Sequence, residues 1–543
     1  MQIRLQKSQC VAENVDPKQR IAIKVDEVGK NTKKNPEMNS YRNIIKGSSF
    51  FGGVQIFNIL ISLVRGKFVA IILGPEGMGI SALFNSVSGT VQRLASLGLN
   101  QAIIRDVADE NHNSEEKEKT IRTSLMVTNL TALFGLFICV VFCVPLSRIT
   151  FGESSYWWQF MMLGAGVWFG IAGSGKLSVL QGLHEVKRIS RASVVGGITG
   201  LCVGIPLYYI FGDKGIVPGI VAVFLSLYIF YSFSFKKSYK WESEEENWRK
   251  YIPIAKKLLA LGVVLMSGDL ITNLVTYLIN LFVRITGNID DVGLYQAANS
   301  VTNQYAGVIF AALAMEYFPR LSQVAGDNKR MNEVVNRQSE VVAWLLSPAM
   351  ILLILSTPLL IRVLLAESFH SIEPLMRWMG LGMLIRGFSF PMAYITFAKG
   401  NKKVFFIMEG LVAPFVTLIL SCLFFKWFSL IGLGYALVAD NAFCFLLYLI
   451  VNNRLYGYSF SLPAMANYLI GGIATGACFV FSFLHHAGLA YSLMSCLAVG
   501  IIIWSIVNLL RKYRQTPVLD YTNRIEENNE DGERTYPSQE KNQ

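Results

Sequence analysis

Charge is scarce in this chain: Asp, Glu, Lys and Arg make up only 16% of its 543 residues, against 52% apolar residues and a mean hydropathy of +0.42. That balance excludes an ordinary water-facing globular surface and points to a membrane protein. Histidine is scarcer still. His112, His184, His370, His485 and His486 fall in loops or at helix ends, and no catalytic group assembles around them. Seven of the eight cysteines (Cys139, Cys143, Cys202, Cys422, Cys444, Cys478, Cys496) lie in apolar segments, where a thiol is a small filler. None has the spacing of a metal site. Residues 1–40 lack the apolar core of a signal peptide and read as a disordered cytoplasmic leader, with Met38 as an alternative start. Residues 513–543 are polar and read as a disordered cytoplasmic tail. Connections such as Gly212-Asp213-Lys214-Gly215 and His485-His486-Ala487-Gly488 are short. They leave no room for the outward catalytic loop that a membrane glycan polymerase or ligase needs.

Long apolar runs are abundant. About fourteen segments, from 47–73 to 488–510, reach or approach the ~20 residues that a helix needs to cross a ~30 Å hydrocarbon core. The expected fold is therefore an all-α integral membrane protein of about fourteen transmembrane helices. Residues 41–240 carry the first six, 241–455 the next six and 456–512 the last two.

The two sets of six repeat one another. Gly79-Ile80-Ser81-Ala82-Leu83-Phe84-Asn85-Ser86-Val87 returns as Gly293-Leu294-Tyr295-Gln296-Ala297-Ala298-Asn299-Ser300-Val301, an offset of 214 positions from 79 to 293. Arg148 with Glu153-Ser154 returns at the same offset as Arg362 with Glu367-Ser368. Lys187-Arg188 and Gly219 return one position later as Lys402-Lys403 and Gly434. Because six is even, both repeats enter the membrane from one side, so their symmetry axis lies along the membrane normal. Doubled helical lobes of this kind create a central site that can face either side, which makes the chain a carrier in outline.

Orientation follows from the cations. Arg105, Lys117, Lys119 and Arg122, then Lys187, Arg188 and Arg191, then Lys236 to Lys257, then Arg320 to Arg337, and finally Lys399, Lys402, Lys403, Arg454 and Arg511 to Arg514 all fall on one side. Excess Lys and Arg marks cytoplasmic loops, so both termini are expected in the cytoplasm. The same bias accounts for the net charge of +12 and leaves no role for a nucleic-acid partner.

One motif is misleading. Gly170-Ile171-Ala172-Gly173-Ser174-Gly175-Lys176-Leu177 nearly spells a phosphate-binding loop, but Leu177 stands where Ser or Thr would hold magnesium, and no strand precedes it. The plainer reading is a small-residue face at Gly166 and Gly170, with a similar ladder at Gly196, Gly200 and Gly204. Charges inside the spans are more informative, because each costs about 2.5–3.5 kcal/mol at a helix centre. Arg93, Lys176 and Arg386 are candidate cavity cations suited to an anionic head group, with Arg able to grip phosphate bidentately. Asp269 and Asp440 are candidates for proton or sodium coupling, or neutralise a neighbouring Arg; Glu316 and Glu409 are further intramembrane acids. Arg65, Lys67, Arg148 and Arg362 are placed at the outer interface. No cofactor and no metal are expected.

Leu73-Gly74-Pro75-Glu76-Gly77-Met78-Gly79-Ile80 resembles the LGPxGxG loop of polysaccharide flippases. Asp290-Asp291-Val292-Gly293-Leu294-Tyr295-Gln296 is similar to their second-repeat loop, and Phe318-Pro319-Arg320-Leu321-Ser322 and Phe397-Ala398-Lys399-Gly400 fit the same pattern. The resemblance spans roughly 41–455 and is to the Wzx-type O-antigen translocases, within the multidrug/oligosaccharidyl-lipid/polysaccharide exporters. It implies a transporter of the bacterial inner membrane that moves an undecaprenyl-diphosphate-linked oligosaccharide from inner to outer leaflet. It also implies other polysaccharide-assembly membrane proteins as partners. The head group would cross between the lobes while the last two helices help form a groove for the tail. Gly74, Pro75, Gly77, Gly79, Asp291 and Gly293 become candidate gate or hinge positions. Rival readings are an ion-coupled multidrug exporter of the same superfamily, a flippase for the peptidoglycan precursor and, more distantly, the polymerase or ligase.

Overall fold

The computed structural model describes residues 36–109, 114–239 and 251–515. The expected leader up to residue 35, the tail from residue 516 and His112 lie outside the described residues. Met1–Gln55 and Ile56–Gln543 are separate units, and the architecture below is that of the second.

The elements are helical throughout: α1 Pro36–Ser96, α2 Leu99–Val107, α3 Ser114–Val141, α4 Cys143–Phe151, α5 Trp157–Gly182, α6 Val186–Phe211 and α7 Ile216–Ser238. There follow α8 Ile252–Thr286, α9 Ile289–Gln323, α10 Asn328–Leu364, α11 Glu373–Ala398, α12 Lys402–Phe405, α13 Ala413–Tyr456, α14 Leu462–Phe481 and α15 Ala487–Gln515. A π-helical turn, Phe406–Val412, joins α12 to α13. Two elements each contain two spans. The break in α1 is Gly74 (φ 65°), followed by Pro75, and that in α13 is Ser429 (φ 53°). Divided there, with α2 continuing the second stretch and α4 the third, the described residues make fourteen helical stretches arranged as six, six and two, and nine helices among them, by length and composition, could cross a membrane. At each break a single residue of positive φ is enough.

Contacts show which spans run antiparallel. Thr417 bonds Asp440 and Tyr448 bonds Glu409. Both pairs are centred between residues 428 and 429, so α13 folds back on itself at Ser429. In the first lobe, a Cβ on Gly196, Gly200 or Gly204 would face Leu227, Val223 or Gly219, each pair centred on the α6–α7 turn. At Gly200 that Cβ would stand 2.9 Å from the Val223 backbone. The ladder is a close helix contact, as small residues permit. Gly166 likewise faces Val221, Gly170 faces Gln92 and Gly175 faces Thr128, so the phosphate-loop look-alike is a packed stretch of α5.

Burial has the pattern of a protein in lipid. On α3, Met126, Leu130, Leu133, Phe134, Phe137 and Val141 form an exposed apolar stripe at helical spacing. In water each such side chain would cost about 1.5–3 kcal/mol; in hydrocarbon it costs nothing. Several inward hydroxyls bond to their own helix. Ser124 donates to the Thr120 carbonyl, Thr128 to Ser124, and Thr357 to Leu353, each four residues back. Within the first lobe, α5 packs on α3 and α7; within the second, α11 packs on α13 and α10. The terminal pair α14 and α15 joins the second lobe through α10. Gly471 lets α14 approach Ser347, and the Tyr468 ring stacks on Phe388 at 4.1 Å.

Candidate functional site

The two repeat motifs meet face to face. A Cβ on Gly79 would lie inside contact distance of the Ile289 carbonyl oxygen and 3.1 Å from the Gly293 nitrogen. A Cβ on Gly293 would collide with the Pro75 carbonyl oxygen and lie 2.8 Å from the Gly79 nitrogen. Residues 75 and 289, like 79 and 293, are related by the repeat offset of 214. The contact is therefore isologous: each half presents the same two positions to the other, as a two-fold axis requires. Only glycine allows backbones this close. Asp291 supports the arrangement through a capping box at the start of α9. Asn288 Oδ1 accepts from the Asp291 amide at 2.7 Å, and the Asp291 carboxylate accepts from the Asn288 amide at 3.3 Å.

Further bonds tie the halves together on the same side. Lys67 donates to the Val363 carbonyl. Thr150 and Tyr277 hydroxyls lie 3.0 Å apart, and Asn280 Nδ2 donates to Ser86 Oγ at 2.8 Å. Lys67 and Arg148 belong to the end expected to be outermost, and these bonds join the halves there.

Below these contacts lies a cavity of about 830 Å³ within the second lobe, lined by residues from Thr272 to Tyr448. It runs from Tyr295, two positions after Gly293, to Phe397 and Phe405, beside the basic Lys399, Lys402 and Lys403. Its charged groups are Arg386, Asp440 and Glu409. Thr417 Oγ1 donates to Asp440 Oδ2 at 2.9 Å, and the Tyr448 hydroxyl donates to Glu409 Oε1 at 2.5 Å. The Arg386 guanidinium sits 5.9 Å from the Phe310 ring centroid and has no carboxylate within ion-pair distance among the described residues. One wall is aromatic: Phe310 stacks with Phe390 at 5.4 Å, Phe390 meets Tyr394 at 5.0 Å, and Phe397 meets Phe405 at 5.1 Å near the mouth. Asn299, the repeat counterpart of Asn85, adds an amide, as do Asn303 and Asn441.

Of the seven intramembrane charges singled out in the sequence, the cavity brings together Arg386, Asp440 and Glu409. Arg93 and Asp269 line a small crevice elsewhere and pair with each other at 3.2 Å, both about half exposed (49% and 52%). Lys176 lies inside the first lobe, donating to Ser232 Oγ at 2.6 Å above the Tyr228 ring. Glu316 pairs with Arg320 one turn away. Glu409, Thr417, Tyr448 and the aromatic wall had no assigned role in the sequence reading. Asn299 carried a signal, as part of the repeated Asn-Ser.

A charged and aromatic cavity within one of two symmetry-related helical lobes, joined at the symmetry axis, defines a transporter architecture. Residues 68–374 match the family described as polysaccharide biosynthesis protein, and the chain belongs to that family. It is similar to the lipid III flippase of Escherichia coli (strain K12), 22% identical over 375 residues, covering 68% of this chain and 88% of that protein. A Shigella flexneri protein provisionally named an O-antigen transporter is 24% identical over 377 residues, 67% of this chain and 86% of that one. Among solved structures, the lipid II flippase MurJ in an inward closed conformation aligns with a TM-score of 0.65 at 15% identity, covering 86% of this chain and 99% of that one. An inward-facing multidrug transporter of the MATE family, in the MOP superfamily, aligns with a TM-score of 0.60 at 17% identity, covering 77% and 95%. These likenesses carry the fold. The chain is a multi-pass membrane transporter, not an enzyme.

Proposed function

We propose that the protein translocates an undecaprenyl-diphosphate-linked oligosaccharide, an O-antigen or related surface polysaccharide unit, from the inner to the outer leaflet of the bacterial inner membrane. The observation that carries this reading is a large cavity reaching the Lys- and Arg-rich side while the halves meet at Gly79 and Gly293 on the opposite side. With both termini cytoplasmic, that is an inward-facing carrier ready to load from the inner leaflet. A sugar–diphosphate head is expensive to strip of water and needs a polar path, which the cavity's amides, hydroxyls and Arg386 supply. The lipid tail stays in hydrocarbon. Alternating access then rocks one lobe against the other about the glycine contact. Family membership and the similarity to a lipid III flippase support the cargo class.

Native mass spectrometry of protein purified in mild detergent tests the cargo. The expected result is a co-purifying polyprenyl-diphosphate glycan. Bulk phospholipid alone, together with tight binding of organic cations, would instead favour ion-coupled drug export, which the carboxylates and aromatic wall could also serve.

A further inference from the structure

Arg386, Asp440 and Glu409 give the cavity one cation against two carboxylates, so its lining is not the purely cationic one that an acidic glycan would favour. The carboxylates are placed differently from the guanidinium. Thr417 donates to Asp440 Oδ2 and Tyr448 to Glu409 Oε1, while Asp440 Oδ1 meets only the weak Cys444 thiol donor at 4.0 Å, so a second oxygen on each carboxylate is able to accept. Arg386 keeps its fork of donors unspent, suited to a diphosphate. The Phe310–Phe390–Tyr394 wall offers ring faces, the flat apolar surface against which the C–H face of a pyranose ring packs.

We propose that this cavity is a glycan subsite for sugars without a carboxylate, hexoses or N-acetylhexosamines close to the diphosphate. Their hydroxyl and amide N–H groups donate to Asp440 and Glu409 while Arg386 takes the diphosphate. A uronic acid at this position would bring a third carboxylate beside two that are already there and would be rejected. The selectivity rests on the flippase reading, and the carboxylates are what set it. Of the aromatic and amide lining, none discriminates by charge.

The test uses the full chain in nanodiscs and three soluble probes: farnesyl diphosphate, farnesyl-diphosphate N-acetylglucosaminyl-glucose and its glucuronic-acid counterpart. The neutral-sugar probe is expected to bind at least ~10-fold more tightly than the uronic one. Glu409→Gln, and separately Asp440→Asn, should narrow that ratio, with binding of farnesyl diphosphate retained as the check on folding. Equal affinity for the two glycans, or tighter binding of the uronic one, overturns the subsite and leaves the flippase reading standing. If none of the three probes binds while tetraphenylphosphonium does, both readings fall together.

Discussion

Replacing Gly293 by leucine is expected to open the outer side of the protein and to abolish transport while leaving the fold intact. The reason is geometric. A Cβ at this position already meets the Pro75 carbonyl oxygen and the Gly79 nitrogen, both backbone atoms that cannot turn aside as a side chain can. Overpacking costs about 1–3 kcal/mol in an ordinary core. Here that cost falls on one conformation only, because the contact is relieved when the lobes part on this side. About 3 kcal/mol of differential strain shifts a two-state balance more than 100-fold. Spin labels at Ser154 and Ser368, exposed and repeat-equivalent, provide the readout in a background with the eight cysteines replaced. Their separation should lengthen in Gly293→Leu and less so in Gly293→Ala. Gly307→Ala, in the same helix with open space around its Cβ position, should leave it unchanged. An unaltered distance in Gly293→Leu would show that the contact is not the outer gate.

The second large effect is expected at Arg386. Its guanidinium is the only cation among the cavity-lining residues and is not ion-paired among the described residues, so its loss should weaken binding of a diphosphate-linked ligand rather than destabilise the protein. A charge-assisted hydrogen bond is worth about 1.5–3 kcal/mol, which corresponds to roughly 10- to 100-fold in Kd for Arg386→Ala. Arg386→Lys keeps the charge and loses the planar fork, so it should fall between wild type and Ala. Arg93→Ala is the matched control. Its side chain pairs with Asp269 outside the cavity, and the exposure of both partners limits that pair to about 0–1 kcal/mol. Titration of farnesyl diphosphate into the three variants checks the order. Equal losses in Arg93→Ala and Arg386→Ala would mean that the cavity described above is not where the diphosphate sits.

The symmetry was legible because it is written in short motifs. A common offset places Gly79 opposite Gly293, and the structure brings those two positions into contact. The glycine ladder of α6 was legible for a similar reason, since a run of small residues at four-residue spacing has little use other than close packing. Which charges share a cavity was not legible. In lipid the apolar period disappears, as both the outward face and the packed face of a span are apolar, and nothing in sequence tells whether Lys176 points inward or toward Ser232. Glu409 was read as an intramembrane acid, but its direction was obscured by a further effect. It lies in the π-helical turn Phe406–Val412, where each residue bonds five positions along instead of four. That turn displaces the side chain from the face a 3.6-residue period would assign and directs it to Tyr448. The breaks at Gly74 and Ser429 need only one residue of positive φ each, which no run of loop residues announces.

Translocation itself can be measured directly. Purified protein reconstituted in liposomes with a fluorescent polyprenyl-diphosphate glycan in both leaflets, and assayed by quenching from outside, reports how fast the protected half becomes accessible. Wild type is expected to exchange the lipid fast, Arg386→Ala slowly and Gly293→Leu no faster than empty liposomes. Wild-type vesicles that exchange the lipid no faster than empty ones, while taking up organic cations, would contradict the flippase reading.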